Sequence, residues 1–194
     1  MRLLLSLVLV LASLPAFAGG GRIDGTVTGA PRLRRDAVVY LADAPKTVGK
    51  GTVSLDQKGM VFVPHVLPIV KGTSVKFLNS DAVRHNVFSP DGEKYNLGTW
   101  PVGETKTYVF DKCAAETCVY TQLCNVHTEM EGFIVVLQTD KFALVKPDGS
   151  FSIPNVAPGT YTLKLWSPKK AKATPVKVTV APDAAAAATL EVTP

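Results

Sequence analysis

The side chains best suited to chemistry lie in one short segment, Leu123 to Phe133, which holds a cysteine, a histidine and a methionine in the frame Cys-x-x-His-x-x-Met. These residues are Cys124, His127 and Met130. Thiolate and thioether are soft donors and imidazole is borderline, so the set suits copper cycling between two oxidation states better than a hard cation such as calcium. A tight loop between two strands can turn all three side chains toward one point.

A further donor is expected from a separate part of the chain, and the stretch Phe77 to Phe88 supplies His85. This histidine stands where a predicted strand enters a loop. Two histidines and a cysteine in a trigonal set, with a weak axial methionine, form the geometry of electron-transfer copper sites. The sequence therefore predicts one copper ion bound by His85, Cys124, His127 and Met130.

Two other side chains compete for a place at this site. His65 lies outside the ligand frame and is interpreted first as a hydrogen-bonded histidine at a sandwich edge, with a role as an additional or alternative ligand kept open. Glu129 stands between two ligand positions and could replace a sulfur donor, which would give a harder site. Alternation along the loop favours a solvent-facing Glu129.

The first residues indicate export. Met1-Arg2 is followed by the apolar run Leu3 to Phe17 and the small-residue pattern Ala16-Phe17-Ala18, which is typical of a secretory signal peptide cleaved near Ala18. The run is shorter than the ~18 residues that span a bilayer, and we find no second long apolar segment. We expect a periplasmic or secreted protein whose mature chain has no membrane span.

Cys113 and Cys118 remain once Cys124 is assigned to the metal. In an oxidising compartment, an even pair left over is most simply a disulfide, which here would close a short loop just before the ligand segment.

The elements that must position these ligands are strands. Short runs of β-branched and aromatic residues alternate partially and are separated by turn signals such as Lys71-Gly72 and Asp148-Gly149. The pattern predicts an all-β sandwich fold. Helix propensity alone would favour a helix only at Ala184 to Ala188, but Pro182 and Thr189 bracket that run too tightly.

Charge excludes one class of partner. The formal net charge is +5, and the basic residues are spread out apart from Arg32, Arg34 and Arg35 and the cluster Lys169, Lys170 and Lys172. Without a basic stripe interleaved with aromatic residues, nucleic acid is a poor candidate. The charge favours only an acidic docking partner.

The segment from Val61 to Leu137 resembles the cupredoxin family of plastocyanins, pseudoazurins and amicyanins. The Cys124-x2-His127-x2-Met130 spacing is similar to the short-loop form of amicyanin, and further matching motifs follow in the order the family uses: Phe62-Val63-Pro64, Val70-Lys71-Gly72-Thr73, Val75-Lys76-Phe77-Leu78-Asn79 and His85-Asn86-Val87. The resemblance implies a Greek-key β-sandwich, with Met130 as axial ligand and Asn86 as the asparagine that braces the ligand loop.

The remaining segments resemble a second module. Gly25-Thr26-Val27, Ala37 to Leu41 and the stretch from Asp148 to Leu163 are similar to the carboxypeptidase regulatory-like β-sandwich, and the whole to bacterial periplasmic methylamine-utilisation-like proteins. We expect a signal peptide at 1–18, N-terminal strands at 19–58 that could belong to the second sandwich, a copper domain at 59–139 and the second small sandwich at 140–194.

The predicted function is that of a type 1 copper protein that exchanges electrons with a redox partner, such as a cytochrome. A copper carrier or buffer and a non-redox binding module are the alternatives. An enzyme is not expected, because protein donors fill all four ligand positions. A dinuclear centre is disfavoured, since Cys118-x5-Cys124 departs from the family's C-x3-C spacing.

Overall fold

The computed structural model describes residues 19–194, so the predicted signal peptide lies outside the described residues. This part of the chain forms one four-residue helix and sixteen strands, which confirms the all-β fold class. Within residues 19–194, no helix is long and apolar enough to cross a membrane. The elements in chain order are β1 Gly21–Thr28, α1 Pro31–Arg34, β2 Val38–Leu41, β3 Thr52–Gln57, β4 Phe62–Val63, β5 Val66–Val70, β6 Ser74–Asn79, β7 His85–Phe88, β8 Asn96–Trp100, β9 Thr105–Val109, β10 Thr117–Leu123, β11 Glu131–Leu137, β12 Phe142–Leu144, β13 Ser150–Val156, β14 Gly159–Trp166, β15 Val176–Val180 and β16 Ala185–Glu191.

These strands build four sheets that form two sandwiches. The first sandwich packs the sheet β13-β1-β16 on the sheet β12-β2-β14-β15, around a core that includes Ile23, Ile153 and Leu163. The second packs the sheet β5-β11-β10-β7-β8 on the sheet β4-β3-β6-β9, around a core that includes Phe77 and Trp100. Both ends of residues 19–194 therefore belong to the first sandwich, and the second sandwich is inserted between β2 and β12.

The two sandwiches meet through a third apolar cluster, which we call the junction core. Val38 and Tyr40 of β2 face Val135 and Leu137 of β11 in this cluster. The residues that alternate with these four along the two strands face the sandwich interiors. Val39 of β2, for example, lies in the core of the first sandwich. A strand buried on both faces needs apolar side chains at successive positions, which explains the unbroken apolar runs in β2 and β11.

Sheet pairing places one domain boundary at a different residue from the one predicted. The N-terminal strands were expected to reach residue 58, but β3 pairs in parallel with β6, in the register Leu55↔Phe77. Leu55 is buried in the same core as Phe77. Residues 52–57 therefore belong with the second sandwich, and the segment that contributes to the first sandwich ends with β2.

The alanine run is a strand. β16 lies parallel to β1, with Ala188 opposite Gly25. A Cβ on Gly25 would lie 2.5 Å from the Ala188 carbonyl oxygen and 2.2 Å from the Phe151 ring, so the two backbones approach too closely for a larger residue. Helix propensity is a weak preference, and here sheet pairing overrides it.

Candidate metal centre

Three of the predicted ligands converge at one end of the second sandwich. The Nδ1 atoms of His85 and His127 are 3.0 Å apart, and the Cys124 Sγ lies 3.9 Å from the first and 4.0 Å from the second. Ligand atoms about 2.0–2.3 Å from one ion in a trigonal array lie roughly 3.5 Å from each other, so these three donors fit a single metal ion. Cys124 is the only cysteine without a disulfide in residues 19–194.

Three of the candidate ligands lie at or next to strand ends, and His127 lies in the loop between two of those strands. His85 opens β7, Cys124 directly follows β10, and β11 begins immediately after Met130. The loop that joins β10 to β11 is closed by a hydrogen bond from the Met130 backbone N–H to the His127 carbonyl, at 3.1 Å. Hairpin geometry therefore presents Cys124 and His127 on the same side of the sheet end.

Burial separates the ligand candidates. His85, Cys124 and Met130 are buried, with at most 2% of each residue exposed, whereas His127 is only partly buried. Met130 belongs to the same apolar core cluster as Cys124. A site of this kind is closed to bulk solvent except at the His127 edge.

The buried thiol has one hydrogen-bond donor of its own. The Asn86 backbone N–H donates to the Cys124 Sγ at 3.4 Å. Through its side chain, Asn86 donates to the Asn96 Oδ1 at 2.9 Å and to the Gly98 carbonyl at 2.8 Å, and it accepts from the Asn125 backbone N–H at 3.5 Å. Asn86 thus links the strand that bears His85 to the loop that bears His127.

Sequence reasoning missed Asp81, which orients the first histidine. The Asp81 carboxylate is 2.9 Å from the His85 Nε2 and also accepts from the backbone N–H groups of Gly59 and Met60, at 2.7 and 3.0 Å. The Met60 N–H is the main cause that holds the pKa of Asp81 below its ordinary value, and it outweighs the opposing effect of burial. An ionised acceptor keeps the proton of His85 on Nε2, so Nδ1 presents a lone pair to the cluster. The sequence does contain a sign of this role, since Asp81 precedes His85 by four positions.

The other candidate ligands lie elsewhere. His65 is not part of the cluster, because its Nδ1 is 2.9 Å from the Asp36 carboxylate and its ring packs edge-on against Phe133. Glu129 is exposed, and Cys113 and Cys118 form a disulfide.

A network of tyrosines surrounds Glu93 in the same sandwich. The Glu93 carboxylate accepts hydrogen bonds from Tyr108 at 2.5 Å and Tyr120 at 3.2 Å, and it pairs with Lys112 at 3.2 Å. Burial, followed by the charge of Glu93, raises the pKa of Tyr120 to about 12. Tyr95 stacks on Tyr108 and donates to the buried Gln122, two residues before Cys124. The network therefore ties β9 to the strand that leads into the ligand loop.

Exposed valines lie on the loops at the metal end. Val126 of the ligand loop is 48% exposed, Val83 before His85 is 45% exposed, and Val102 after Trp100 is 53% exposed. Trp100 pairs with His85 in the β7–β8 register, and the Asn79 side chain holds the carbonyls of Val83 and Trp100. We call Val83, Val102 and Val126 the valine patch.

Solved structures similar to this chain include copper proteins. A purple cupredoxin from Nitrosopumilus maritimus is 24% identical with a TM-score of 0.38, and the match covers 43% of this chain and 98% of that one. A reduced variant of amicyanin is 21% identical with a TM-score of 0.40, covering 52% and 98%. A copper-containing nitrite reductase from Thermus scotoductus is 22% identical with a TM-score of 0.41, covering 59% of this chain but 28% of the enzyme.

The second module has a different family likeness from the one expected. Residues 142–188 match the family profile of polysaccharide lyase family 4, domain II, rather than a carboxypeptidase regulatory-like family. Comparison with curated proteins finds no match.

Proposed function

We propose that this chain binds one copper ion through His85, Cys124 and His127, with Met130 as the axial donor, and that it transfers single electrons as an exported protein. The observation that carries the proposal is a buried, unpaired thiol that faces the Nδ1 atoms of two histidines at 3.9 and 4.0 Å. Soft sulfur with imidazole is the donor set that copper prefers. Bound there, copper supplies a centre that gains and loses one electron.

The protein supplies a rigid and dry surrounding for that centre. Asp81 fixes the ring orientation of His85, and Asn86 restrains the thiolate and the loop that carries His127. Ligands held in this way change position little when the charge of the site changes, which favours rapid outer-sphere transfer. Since only His127 reaches toward solvent, the electron would enter and leave at its edge.

The same burial argues against catalysis. Three of the four proposed ligands are buried, so the site offers substrate no open position beside them. The disulfide between Cys113 and Cys118 suits an oxidising compartment such as the periplasm. Small and weak interfaces suit a transient redox partner, and the valine patch next to His127 supplies apolar contact area for one.

The test is a visible absorption spectrum of the mature protein with one equivalent of Cu(II). We expect an intense band from thiolate-to-copper charge transfer, together with reversible one-electron voltammetry. Cys124→Ser should abolish the band, and the matched double variant C113S/C118S should keep it, because those sulfurs are not ligands.

Absence of the band in the parent protein would refute the type 1 site. A band without reversible voltammetry, combined with rapid loss of copper to a chelator, would identify a copper carrier instead. Failure to bind copper at all would leave the binding-module alternative.

A further inference from the structure

The fold brings together two basic segments that are far apart in the sequence. α1 and the loop after β14 touch at a buried hydrogen bond, in which the Ser167 hydroxyl donates to the Leu33 carbonyl at 2.8 Å across 134 residues. Five exposed cations lie in these two segments, and we call them the basic shelf: Arg32, Arg35, Lys169, Lys170 and Lys172.

The shelf keeps its charge. No member forms an ion pair with any acid in residues 19–194. Arg34, by contrast, donates to the Val27 carbonyl and serves the fold. The adjacent Asp36 contacts His65 and forms no ion pair with a shelf residue.

Strand contacts place the shelf at the metal end of the molecule. Trp166, the last residue of β14, packs against Phe133, three residues after Met130 in the chain. Asp36, just before β2, binds His65, whose carbonyl accepts from the Phe133 N–H. Lys164 pairs with Glu116 at the opposite end of β10, so β14 runs toward the metal end as it enters the basic loop.

Neither basic segment carries a side chain suited to entering a bilayer. Leu33 is buried, and in residues 19–194 the exposed large apolar side chains fall outside both segments. Exposed acids do occur at the ligand loop, where Glu129 and Glu131 flank Met130. The exposed cations near this end are unevenly distributed. The five of the shelf lie on the side formed by the first sandwich, whereas Lys58 and Arg84 lie near Asp81 and His85 in the second. An asymmetric charge pattern fits a protein partner, because it selects one orientation of approach.

We infer that the basic shelf is the docking surface for an acidic redox protein, which it orients so that the partner's redox centre faces the His127 edge and the valine patch. This inference rests on the proposed electron transfer and adds the chemical class of the partner. Charge complementarity chiefly raises the rate of encounter and fixes register, whereas the short-range contact falls to the apolar valines. The first sandwich thus contributes the charged part of the recognition surface.

The test compares charge reversal on the shelf, R32E/K169E/K172E, with a matched reversal on the segment that enters the second sandwich and on its outer sheet, K46E/K50E/K76E. All six residues are exposed, and both variants change the net charge equally. The probe is a reduced, acidic plant-type [2Fe–2S] ferredoxin, which gives one electron to Cu(II) and leaves Cu(I) and the oxidised cluster. Stopped-flow loss of the visible band gives the second-order rate constant at low and high salt.

We expect the shelf variant to lower the rate constant about tenfold at low salt, with the difference vanishing at high salt. The matched variant should lower it less than about threefold, because its charges lie far from the point of contact. Equal losses in both variants, or no loss in either, would overturn the inference. So would shelf-dependent sedimentation with phosphatidylglycerol vesicles that exceeds ferredoxin binding, since it would assign the shelf to a membrane surface.

Failure of the copper site is detected separately. The visible band of each variant is recorded first, and circular dichroism confirms that both remain folded. Binding of oxidised ferredoxin is also measured by titration calorimetry with copper-free protein. A parent protein without the band refutes the proposed function, while shelf-dependent binding in that titration still decides the docking surface.

Discussion

Replacing Asn86 by alanine is predicted to loosen the ligand loop while leaving all four proposed ligands in place. The side chain is 2% exposed and makes three hydrogen bonds, two near 2.9 Å and one at 3.5 Å. At about 0.5–1.5 kcal/mol for each neutral bond, with the longest at the low end, the free energy of unfolding should fall by about 1.5–3.5 kcal/mol. The backbone N–H that donates to the Cys124 Sγ is unaffected.

The loss should also reach the metal. Because the Asn125 N–H loses its acceptor, His127 is less well positioned, and Cu(II) affinity should fall by about 10–100-fold, as for other residues that orient metal ligands. The assay combines urea unfolding of the copper-free protein, followed by tryptophan fluorescence, with competitive chelator titration of the loaded protein. Asn125→Ala is the control, since it keeps that N–H and removes only an exposed side chain. A loss under about 0.5 kcal/mol with unchanged copper affinity would refute the reasoning, because three such bonds cannot be removed for so little.

Two further predictions concern the same sandwich. Burial alone would raise the pKa of Glu93, but the Tyr108 hydroxyl and Lys112 hold it below its ordinary value. The stability that ionised Glu93 contributes is therefore present above its ordinary pKa and lost as pH falls through its folded pKa. Urea unfolding of Glu93→Gln should show a lower free energy of unfolding at pH 7 and a flatter dependence on acid pH. Identical pH profiles for the variant and the parent would contradict this. The double variant C113S/C118S should lose about 2 kcal/mol of stability by thermal unfolding, because the disulfide closes a loop with a sequence separation of 5. An unchanged melting temperature would show that the disulfide does not restrict the unfolded chain.

The convergence of His85, Cys124 and His127 could be predicted in part from local spacing. Cys124, His127 and Met130 lie within one hairpin loop, so their spacing alone constrains their geometry. His85 needed the resemblance to a known sandwich, since only sheet pairing brings β7 beside β10. The role of Asp81 was not predicted, because it depends on contacts that the sequence does not show. Its carboxylate accepts from His85 and from two backbone N–H groups in a different turn.

Pairing between distant strands limited the rest. The assignment of residues 52–57 turned on a parallel partner, β6, and nothing within β3 specifies which sandwich will bind it. The alanine run posed the same problem, since its strand conformation depends on Gly25, more than 160 residues away. Local propensity reflects only neighbouring residues, whereas the interactions that decide such segments join residues far apart in the sequence.

The inserted position of the second sandwich has a consequence for the order in which the protein folds. The entry and exit of the insertion lie side by side, joined by bonds between Thr47 and Gln138 and between Leu41 and Lys141. During synthesis, β3 to β11 are complete before β12 exists, so the ligand-bearing half can fold while β1 and β2 wait without most of their partners. The first sandwich closes only when β16, the last strand of the described residues, docks beside β1, and such long-range parallel pairing is slow. The metal-binding half is thus ready before the surface proposed to present it to a partner.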